Sequence, residues 1–489
     1  MTAEQTGDAD TAIARHTTNI LRDYDALGLA ELVRKKEIQP SELLDLAIEQ
    51  VEALNPRLNF LAREHYDRAR KAIAKGLPDG PFTGVPWLIK DLNTYLAGEI
   101  TGQGSRWYQD NRVDYSSELV LRYERAGLVI FGKTTTPEFG LSPSTESKVS
   151  GLTHNPWNLD YSAGGSSGGA AAAVAAGVLP AAHATDGGGS IRIPASCCNL
   201  FGLKPSRGRV PVGPPRTERW DGMSVHHVVS HTVRDSAALL DATHGLEPGG
   251  RYTAPTPERP FLDEVGRDPG QLRIAFTTVP QAGTPVDPDC VKAVRDAAAL
   301  CAALGHHVEE ASPELDAAAL AKGGGDIVCA GLAAEFEARE AATGIAPGAQ
   351  LLEPVTLAMY EQGRKLTAGD YMRASAACQA GAVEVARFMT GYDLMLSPVL
   401  AAPPPRLGIM GLAPDDIAEW GRMLAEYAAF SMLQNQTGQP SISVPFAFSR
   451  DELPIGVMFS ARYGEEAVLF RIAGQIEQAQ PWIHRRPSL

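Results

Sequence analysis

The chain has 489 residues, of which 44% are hydrophobic and 21% are charged, so it can bury a large core. Its formal net charge is −14 at pH 7, which argues against a nucleic-acid surface as the main feature. The N-terminal residues are polar and acidic, and the most apolar run, residues 170–179, is about half the length of a membrane span. We therefore expect a cytoplasmic protein without a membrane or nucleic-acid partner.

The first half of the chain predicts helices followed by an α/β region. Residues 1–24 carry little pattern and are expected to form an N-terminal arm. A helix is predicted from Pro40, where apolar residues recur at helical spacing, to the stop at Asn55-Pro56. Residues 84–211 alternate short apolar strands with helices, including a buried strand over residues 128–131 and a helix over residues 170–176.

The second half predicts another α/β stretch, a helical region and a return to strands. We predict strands at residues 272–276 and 308, a helix at 288–304, and a mainly helical pattern over 313–430. Strands follow at 441–444 and 455–460, and then a helix at 465–478. Because strands occur at both ends of the chain, the pattern favours one α/β domain over residues 25–489, with one continuous sheet and helices on both faces.

Two serine-containing glycine-rich turns dominate the region 84–211. The first is Gly164-Gly165-Ser166-Ser167-Gly168-Gly169, and the second is Thr185-Asp186-Gly187-Gly188-Gly189-Ser190-Ile191-Arg192. Such turns expose a hydroxyl and direct backbone N–H groups toward one point. Upstream, Lys90 ends the apolar run Val85-Pro86-Trp87-Leu88-Ile89, where burial would lower its pKa and make its amine a base. Together these residues indicate an acyl-transfer site.

Other motifs in the chain favour plainer interpretations. Residues 127–134 match the phosphate-loop pattern letter for letter, but Leu-Val-Ile-Phe is typical of a buried strand. Residues 164–168 fit the nucleophile elbow of α/β-hydrolases, which would make Ser166 or Ser167 the nucleophile of an esterase and require a histidine. His226, His227 and His231 are the candidates. No spacing of His, Cys and Asp suggests a metal, and the six cysteines are expected to be free thiols.

The two serine turns and Lys90 resemble the signature of the amidase signature family. Further matching motifs include Asn155-Pro156-Trp157-Asn158 and Gly202-Leu203-Lys204-Pro205, so the resemblance covers most of the chain. It implies a single large domain with a central mixed sheet, and a triad in which Ser190 is the nucleophile. Ser166, usually preceded by a cis peptide in this family, would relay a proton to Lys90.

The resemblance also assigns roles to the neighbouring residues. The backbone N–H groups of Gly187, Gly188, Gly189 and Ser190 would form the oxyanion hole. Ser167 would support Lys90, and Asp186 with Arg192 would brace the turn. Cys329 falls in the region expected to border the substrate pocket, and residues 313–430 would supply a variable helical pocket or lid. Gly187 stands where many relatives carry a larger residue, so we expect it to widen the site.

Within the family, the chain is most similar to hydrolases of hydrophobic or synthetic amides, particularly the 6-aminohexanoate cyclic dimer hydrolases. Aryl-amide and carbamate (urethane) hydrolases are close neighbours. The resemblance implies a small-molecule amide or carbamate substrate, no metal or organic cofactor, and a monomer or homodimer. The alternative is the glutaminase subunit of a tRNA-dependent amidotransferase, which holds glutamine with an arginine seven residues after a tyrosine. Here Tyr371 is the counterpart of that tyrosine, and the position seven residues later is Cys378 instead of an arginine.

Overall fold

The computed structural model describes residues 20–489, and its centre is a mixed eight-stranded sheet. From one edge to the other, the strands are His307–Glu310, Arg273–Phe276, Leu394–Pro398, Pro454–Ala461, Ser441–Phe448, Phe201–Lys204, Val225–Ser230 and Ala181–Asp186. The first three strands are parallel, and every later neighbour is antiparallel. This arrangement confirms the predicted α/β class with a central mixed sheet.

A second sheet of three strands lies beside the first. It is ordered Leu61–Glu64, Val129–Thr134 and Pro86–Lys90, and its last two strands are parallel. The prediction of one continuous sheet is therefore wrong at this point, because the ladder stops between Pro86–Lys90 and the edge strand Ala181–Asp186. There the backbone N–H of Lys90 donates instead to Nδ1 of His183, at 3.1 Å.

Fifteen α-helices surround these sheets in the part of the chain that the structure describes. They are Ile20–Asp23, Ala26–Arg34, Pro40–Leu58, Tyr66–Lys75, Glu118–Arg125, Gly168–Ala175, Arg192–Cys197, Val233–Thr243, Pro288–Ala303, Ala317–Thr343, Pro354–Gly363, Ala368–Phe388, Ile417–Tyr427, Leu433–Thr437 and Glu466–Ala479. Short 3-10 turns occur at Arg106–Tyr108, Glu138–Gly140 and Leu262–Glu264, and two-stranded ribbons pair Glu146–Ser147 with Gly151–Leu152 and His154–Asn155 with Asn158–Ser162.

Several boundaries differ from the sequence prediction. Residues 1–19 of the predicted arm lie outside the described residues, and Ile20–Asp23 forms one helical turn. Pro56 does not stop its helix, which continues to Leu58, because a proline in the last turn removes few intrahelical bonds. The region 313–430 also contains a strand, Leu394–Pro398, which is the third strand of the large sheet. Its apolar run is too short to be distinguished from a helix by periodicity.

The helix Ala317–Thr343 is long and apolar enough to cross a membrane by length and composition. In the fold, its apolar residues pack with Pro354–Gly363 and Ala368–Phe388 in a second hydrophobic cluster around Phe336. Amphipathic helices of a globular core satisfy the same criterion. Leu320 and Val328 of this helical unit line a cavity beside the second glycine-rich turn, so the unit supplies one wall of the site.

Candidate active site

Lys90 lies fully buried at the end of the strand Pro86–Lys90 and contacts three hydroxyl groups. Its Nζ lies 2.7 Å from Oγ of Ser166, 2.9 Å from Oγ of Ser167 and 2.9 Å from Oγ1 of Thr185. Among residues 20–489 no carboxylate lies within 4 Å of this nitrogen to form an ion pair. The amine is thus surrounded by groups that can both donate and accept hydrogen bonds.

Burial lowers the pKa of Lys90 well below its ordinary value, and the more distant Asp186 carboxylate opposes this shift. The neighbouring Asp91 does not interfere, as the alternation of the strand predicted. Its carboxylate accepts from the Gly102 backbone N–H at 3.0 Å and lies near Arg63. The lowered pKa favours the neutral amine of Lys90, which is the form that can accept a proton.

The first glycine-rich turn brings Ser166 and Ser167 to the lysine. The peptide bond between Gly165 and Ser166 is cis. Glycine is required at position 165 by close packing, since an added Cβ would lie 2.6 Å from the carbonyl oxygen of Ser142. Ser167 donates to the Thr185 carbonyl at 3.3 Å and accepts from the Thr185 backbone N–H at 3.2 Å. Its proton is committed, so Ser167 accepts from Lys90.

An ion pair braces the second glycine-rich turn. Asp186 and Arg192 are both completely buried, and they contact each other twice, at 2.9 and 3.0 Å. Although burial by itself raises the pKa of Asp186, the charge and hydrogen bonds of Arg192 hold it below its usual value. The side-chain amide of Asn435 also donates to the Asp186 carboxylate, at 2.9 Å. The predicted ion pair is therefore present.

This brace corrects the predicted set of oxyanion donors. The backbone N–H of Gly189 donates to Oδ1 of Asp186 at 2.7 Å, so it is occupied and unavailable to a substrate. Asp186 similarly accepts from the N–H of Ile191 at 3.1 Å. The predicted donors that remain are the N–H groups of Gly187, Gly188 and Ser190.

Gly187 does not widen the site as predicted, because the side chain of Trp220 fills the space. A Cβ added at Gly187 would lie 2.5 Å from the indole ring of Trp220. The opposite edge of the same ring lies against Gly331, where an added Cβ would be 2.8 Å from the indole. Two glycines, one in the turn and one in the helix Ala317–Thr343, thus accommodate one tryptophan.

Ser190 borders two cavities. One is small, about 30 Å³, and it also contacts Ser166, Thr185, Arg219 and Glu335. The other is about 390 Å³ and lined mainly by aliphatic side chains and methionine, including Leu320, Val328, Leu424 and Met432. A cavity of this size and character suits a small-molecule substrate. The two cavities share Ser190, Gly187, Gly140 and Trp220.

The helical region supplies much of this apolar wall, although Cys329 does not take part. Val328 and Leu332 of the same helix border the cavities, whereas Cys329 is buried and its carbonyl packs against Gly363. Consecutive helical residues point in directions about 100° apart. Val328 can therefore face the cavity while the next residue, Cys329, packs against the neighbouring helix. The other five cysteines are also buried free thiols.

The histidines required by the nucleophile-elbow interpretation lie elsewhere. His226 contacts His183, His227 contacts Ser236, and His231 contacts the Val174 carbonyl. Burial lowers the pKa values of all three. The structure places them on one strand and its end, away from Ser166 and Ser167, whose hydroxyl groups contact Lys90.

The position expected to hold a glutamine carboxylate in the amidotransferase alternative carries no cation. Cys378 is buried in the helical cluster, and Tyr371 borders an outer cavity of about 630 Å³. A thiol cannot provide the bidentate hydrogen bonds that a guanidinium gives to an amino-acid carboxylate. The phosphate-loop match is likewise a strand, Val129–Thr134, in which Lys133 is buried.

Besides Trp220, sequence reasoning missed four residues of the site. Thr185 contacts Lys90, His183 holds its backbone, and Arg219 and Glu335 border the small cavity with Ser190. Thr185 and His183 are two residues apart in the strand Ala181–Asp186, so they lie on the same face of it. If that face is known to meet Lys90, the two-residue period of the strand predicts both contacts. Nothing in the local sequence signals the other two.

Known proteins share the fold of this chain and much of its sequence. The amidase family model matches residues 42–470. The 6-aminohexanoate-cyclic-dimer hydrolase of Paenarthrobacter ureafaciens is 40% identical over 483 residues, covering 95% of this chain and 96% of that protein. A solved 6-aminohexanoate cyclic dimer hydrolase superposes with a TM-score of 0.91 at 37% identity, over 96% of this chain and 99% of the other. A bacterial aryl acylamidase superposes with a TM-score of 0.85 at 27% identity, over 95% and 99%.

Proposed function

This chain belongs to the amidase signature family and hydrolyses amide C–N bonds, and on that premise we propose that Ser190 is acylated through a Lys90–Ser166 proton relay. The observation that carries the proposal is the environment of Lys90. Its amine is fully buried, its pKa is lowered by that burial, and its hydrogen-bond partners are three hydroxyl groups. Such an amine is a base, whereas an exposed lysine is protonated at neutral pH.

The hydrogen bonds around Lys90 indicate which hydroxyl group meets the lone pair of its amine. A neutral amine donates two hydrogen bonds and accepts one. Ser167 has committed its own proton to a carbonyl and accepts from Lys90, and Thr185 Oγ1 can accept the second N–H. The lone pair then faces the hydroxyl of Ser166, which also borders the cavity of Ser190. Ser166 is thus positioned to pass protons between the other two residues.

The reaction follows from this arrangement. Ser190 Oγ attacks the substrate carbonyl while its proton moves to Ser166, whose own proton moves to Lys90. The N–H groups of Gly187, Gly188 and Ser190 stabilise the oxyanion, and removing one such donor costs about 3 kcal/mol in the transition state. The protons return through Ser166 to the departing nitrogen, the C–N bond breaks, and an acyl-Ser190 ester remains. Water then attacks the ester by the same relay and releases the acid.

The apolar cavity indicates the substrate class. Its volume of about 390 Å³ and aliphatic lining favour a hydrophobic chain next to the scissile carbonyl. The relatives' names, a cyclic amide dimer hydrolase and an aryl acylamidase, point in the same direction. We therefore propose apolar linear, cyclic or aryl amides as substrates, and we extend the proposal to carbamates, which place the same C(=O)–N unit before the nucleophile.

Hydroxylamine partitioning tests both the substrate class and the intermediate. We expect hexananilide to be hydrolysed, and added hydroxylamine to divert the acyl group to hexanohydroxamic acid without slowing aniline release if deacylation is not rate-limiting. Ser190→Ala should lose at least about 10⁴-fold in kcat, whereas Ser41→Ala, at an exposed serine of the helix Pro40–Leu58, should keep turnover. Preferred turnover of glutamine would support the amidotransferase alternative, and activity in Ser190→Ala would overturn the proposal.

A further inference from the structure

The two cavities at Ser190 differ in chemistry, and this difference orients the substrate. The larger one is apolar, and the smaller one contains the side chains of Arg219 and Glu335. The same two residues, together with Trp220, also border the outer cavity of about 630 Å³. They therefore form a constriction between Ser190 and that outer space.

The position of Ser166 decides which half of the substrate occupies which side. In the proposed relay, Ser166 delivers the proton to the departing nitrogen. Ser166 borders the small polar cavity and does not border the apolar one. The departing amine must therefore lie on the polar side, and the acyl chain must occupy the apolar cavity. A leaving group longer than a few atoms then passes beside the paired side chains of Arg219 and Glu335 toward the outer cavity.

Arg219 and Glu335 form a charge-balanced pair that is mostly shielded from solvent. Nη1 of Arg219 donates to Oε2 of Glu335 at 2.8 Å, and their side chains are 11% and 19% exposed. Nη2 of Arg219 donates to the Tyr95 hydroxyl at 3.3 Å. The guanidinium presents its remaining donors and the carboxylate its remaining acceptor next to each other along the passage. An amide group can bond to both at once, with its C=O toward Arg219 and its N–H toward Glu335.

A charged group meets a different situation at the same place. A free carboxylate on the departing amine would approach Glu335, and a free ammonium would approach Arg219. Either would add a third charge to a neutral, poorly hydrated pair, and like charges placed together across a binding site repel each other. The pair therefore favours neutral dipolar groups and disfavours ions of both signs.

We propose that Arg219 and Glu335 are specificity-determining residues that select substrates whose departing amine carries a second, neutral amide or carbamate group. This inference rests on the proposed function, because the orientation depends on the Ser166 relay. It assigns the apolar acyl chain and the polar amine chain to separate cavities.

A matched set of hexanoyl amides tests the inference. The departing amines carry two to six methylene groups and end in an N-methylamide, a carboxylate, an ammonium or a methyl group. With wild-type enzyme we expect kcat/KM for the N-methylamide, at its best chain length, to exceed that of the carboxylate and the ammonium by about tenfold or more. A carboxylate or ammonium substrate that equals the N-methylamide at every length would overturn the inference.

Charge variants then give a crossed result that misfolding cannot produce. Glu335→Gln should raise the carboxylate-to-amide ratio of kcat/KM by about tenfold, and Arg219→Gln should raise the ammonium-to-amide ratio similarly. Glu340→Gln, on the same helix but outside these cavities, should change neither ratio. Unchanged ratios in both site variants would contradict the inference alone, whereas absence of hydrolysis of every hexanoyl amide would contradict the proposed function.

Discussion

Thr185 Oγ1 lies 2.9 Å from Nζ of Lys90, so the residue before the Asp186 turn completes the polar surroundings of the buried lysine. Thr185 also holds Ser167 through its backbone N–H and carbonyl. One residue of the edge strand therefore fixes two of the groups that orient the amine toward Ser166. This contact links the large sheet to the small one at the site, where their hydrogen-bonded ladder is interrupted.

Replacing Thr185 tests this contact. Thr185→Val keeps the shape and removes the hydroxyl, so we expect kcat/KM to fall by about tenfold, the effect of one lost hydrogen bond. Thr185→Ser retains the hydroxyl and should recover most of the activity. The midpoint of the pH dependence of kcat/KM should also shift in the valine variant, since the Lys90 amine loses a hydrogen-bond partner. If Thr185 had a role in folding alone, both variants would give less folded protein, and their kcat/KM values would be equal.

The pH dependence of turnover reports the protonation of Lys90. Since burial lowers its pKa, the amine is neutral over a wider range than an exposed lysine. As the pH falls through that lowered pKa, Lys90 becomes protonated and loses its ability to accept a proton. We therefore expect kcat/KM to fall with decreasing pH, with a midpoint well below 10.5. Lys90→Met should lose about 10³-fold in kcat/KM and this dependence with it.

Two other buried lysines provide the controls for that assignment. Burial lowers the pKa of Lys133 to about 8 and that of Lys204 to about 7. Lys133→Met and Lys204→Met should retain the acid-side midpoint of kcat/KM, measured with hexananilide between pH 5 and 10. If that midpoint disappears in one of these variants and persists in Lys90→Met, Lys90 is not the base.

The Asp186–Arg192 pair should contribute to stability in a pH-dependent way. Because Arg192 holds the pKa of Asp186 below its unfolded value, the stabilisation is present above about pH 4 and is lost as the pH falls toward the folded-state pKa. Asp186→Asn leaves Arg192 buried without its counter-charge, and we expect the free energy of unfolding to drop by about 3–5 kcal/mol. Urea titration at pH 7 measures this change.

An exposed ion pair serves as the comparison for Asp186. Arg273 and Glu309 lie 3.2 Å apart with side chains 55% and 57% exposed. Glu309→Gln should change the free energy of unfolding by less than about 1 kcal/mol, as solvent screens exposed pairs. Equal losses in the two variants would show that burial of Asp186 does not matter to stability.

Gly187 and Trp220 should behave as a coupled pair. Gly187→Ala brings a methyl group against the indole, so we expect a loss of turnover as the turn shifts its N–H groups. Trp220→Ala removes the indole that the new methyl group would meet. In the Trp220→Ala background, Gly187→Ala should therefore reduce kcat/KM less than it does in the wild-type protein. A double-mutant cycle on kcat/KM measures the coupling. If the effects of the two substitutions on kcat/KM were strictly additive, the methyl group at position 187 and the indole of Trp220 would not compete for space.

The local parts of the site were predictable from the sequence, whereas its long-range parts were not. Ser166, Ser167 and Ser190 lie in glycine-rich turns, and Lys90 ends a strong apolar strand, so each carries a local signal. Arg219 and Glu335 are 116 residues apart, and neither is unusual among its neighbours in sequence. Their contact depends on where the helix Ala317–Thr343 packs relative to the loop that carries Arg219. Trp220 filling the space beside Gly187 has the same origin.

The fold shows the same division. Alternating apolar strands and helices indicated the α/β class, since their periodicity is local. The break between the two sheets could not be predicted, because it depends on His183 accepting the hydrogen bond that a strand partner would otherwise take. The occupied N–H of Gly189 also required coordinates, because glycine turns of the same sequence can direct an N–H inward or outward.

The identity of the acylated residue tests the central claim most directly. We would treat the wild-type protein with a fluorophosphonate and map the adduct by peptide mass spectrometry, with Ser190→Ala as the matched control. The account predicts an adduct on Ser190, which is absent in Ser190→Ala and forms more slowly as the pH falls through the lowered pKa of Lys90. An adduct on Ser166 or Ser167 would contradict the account.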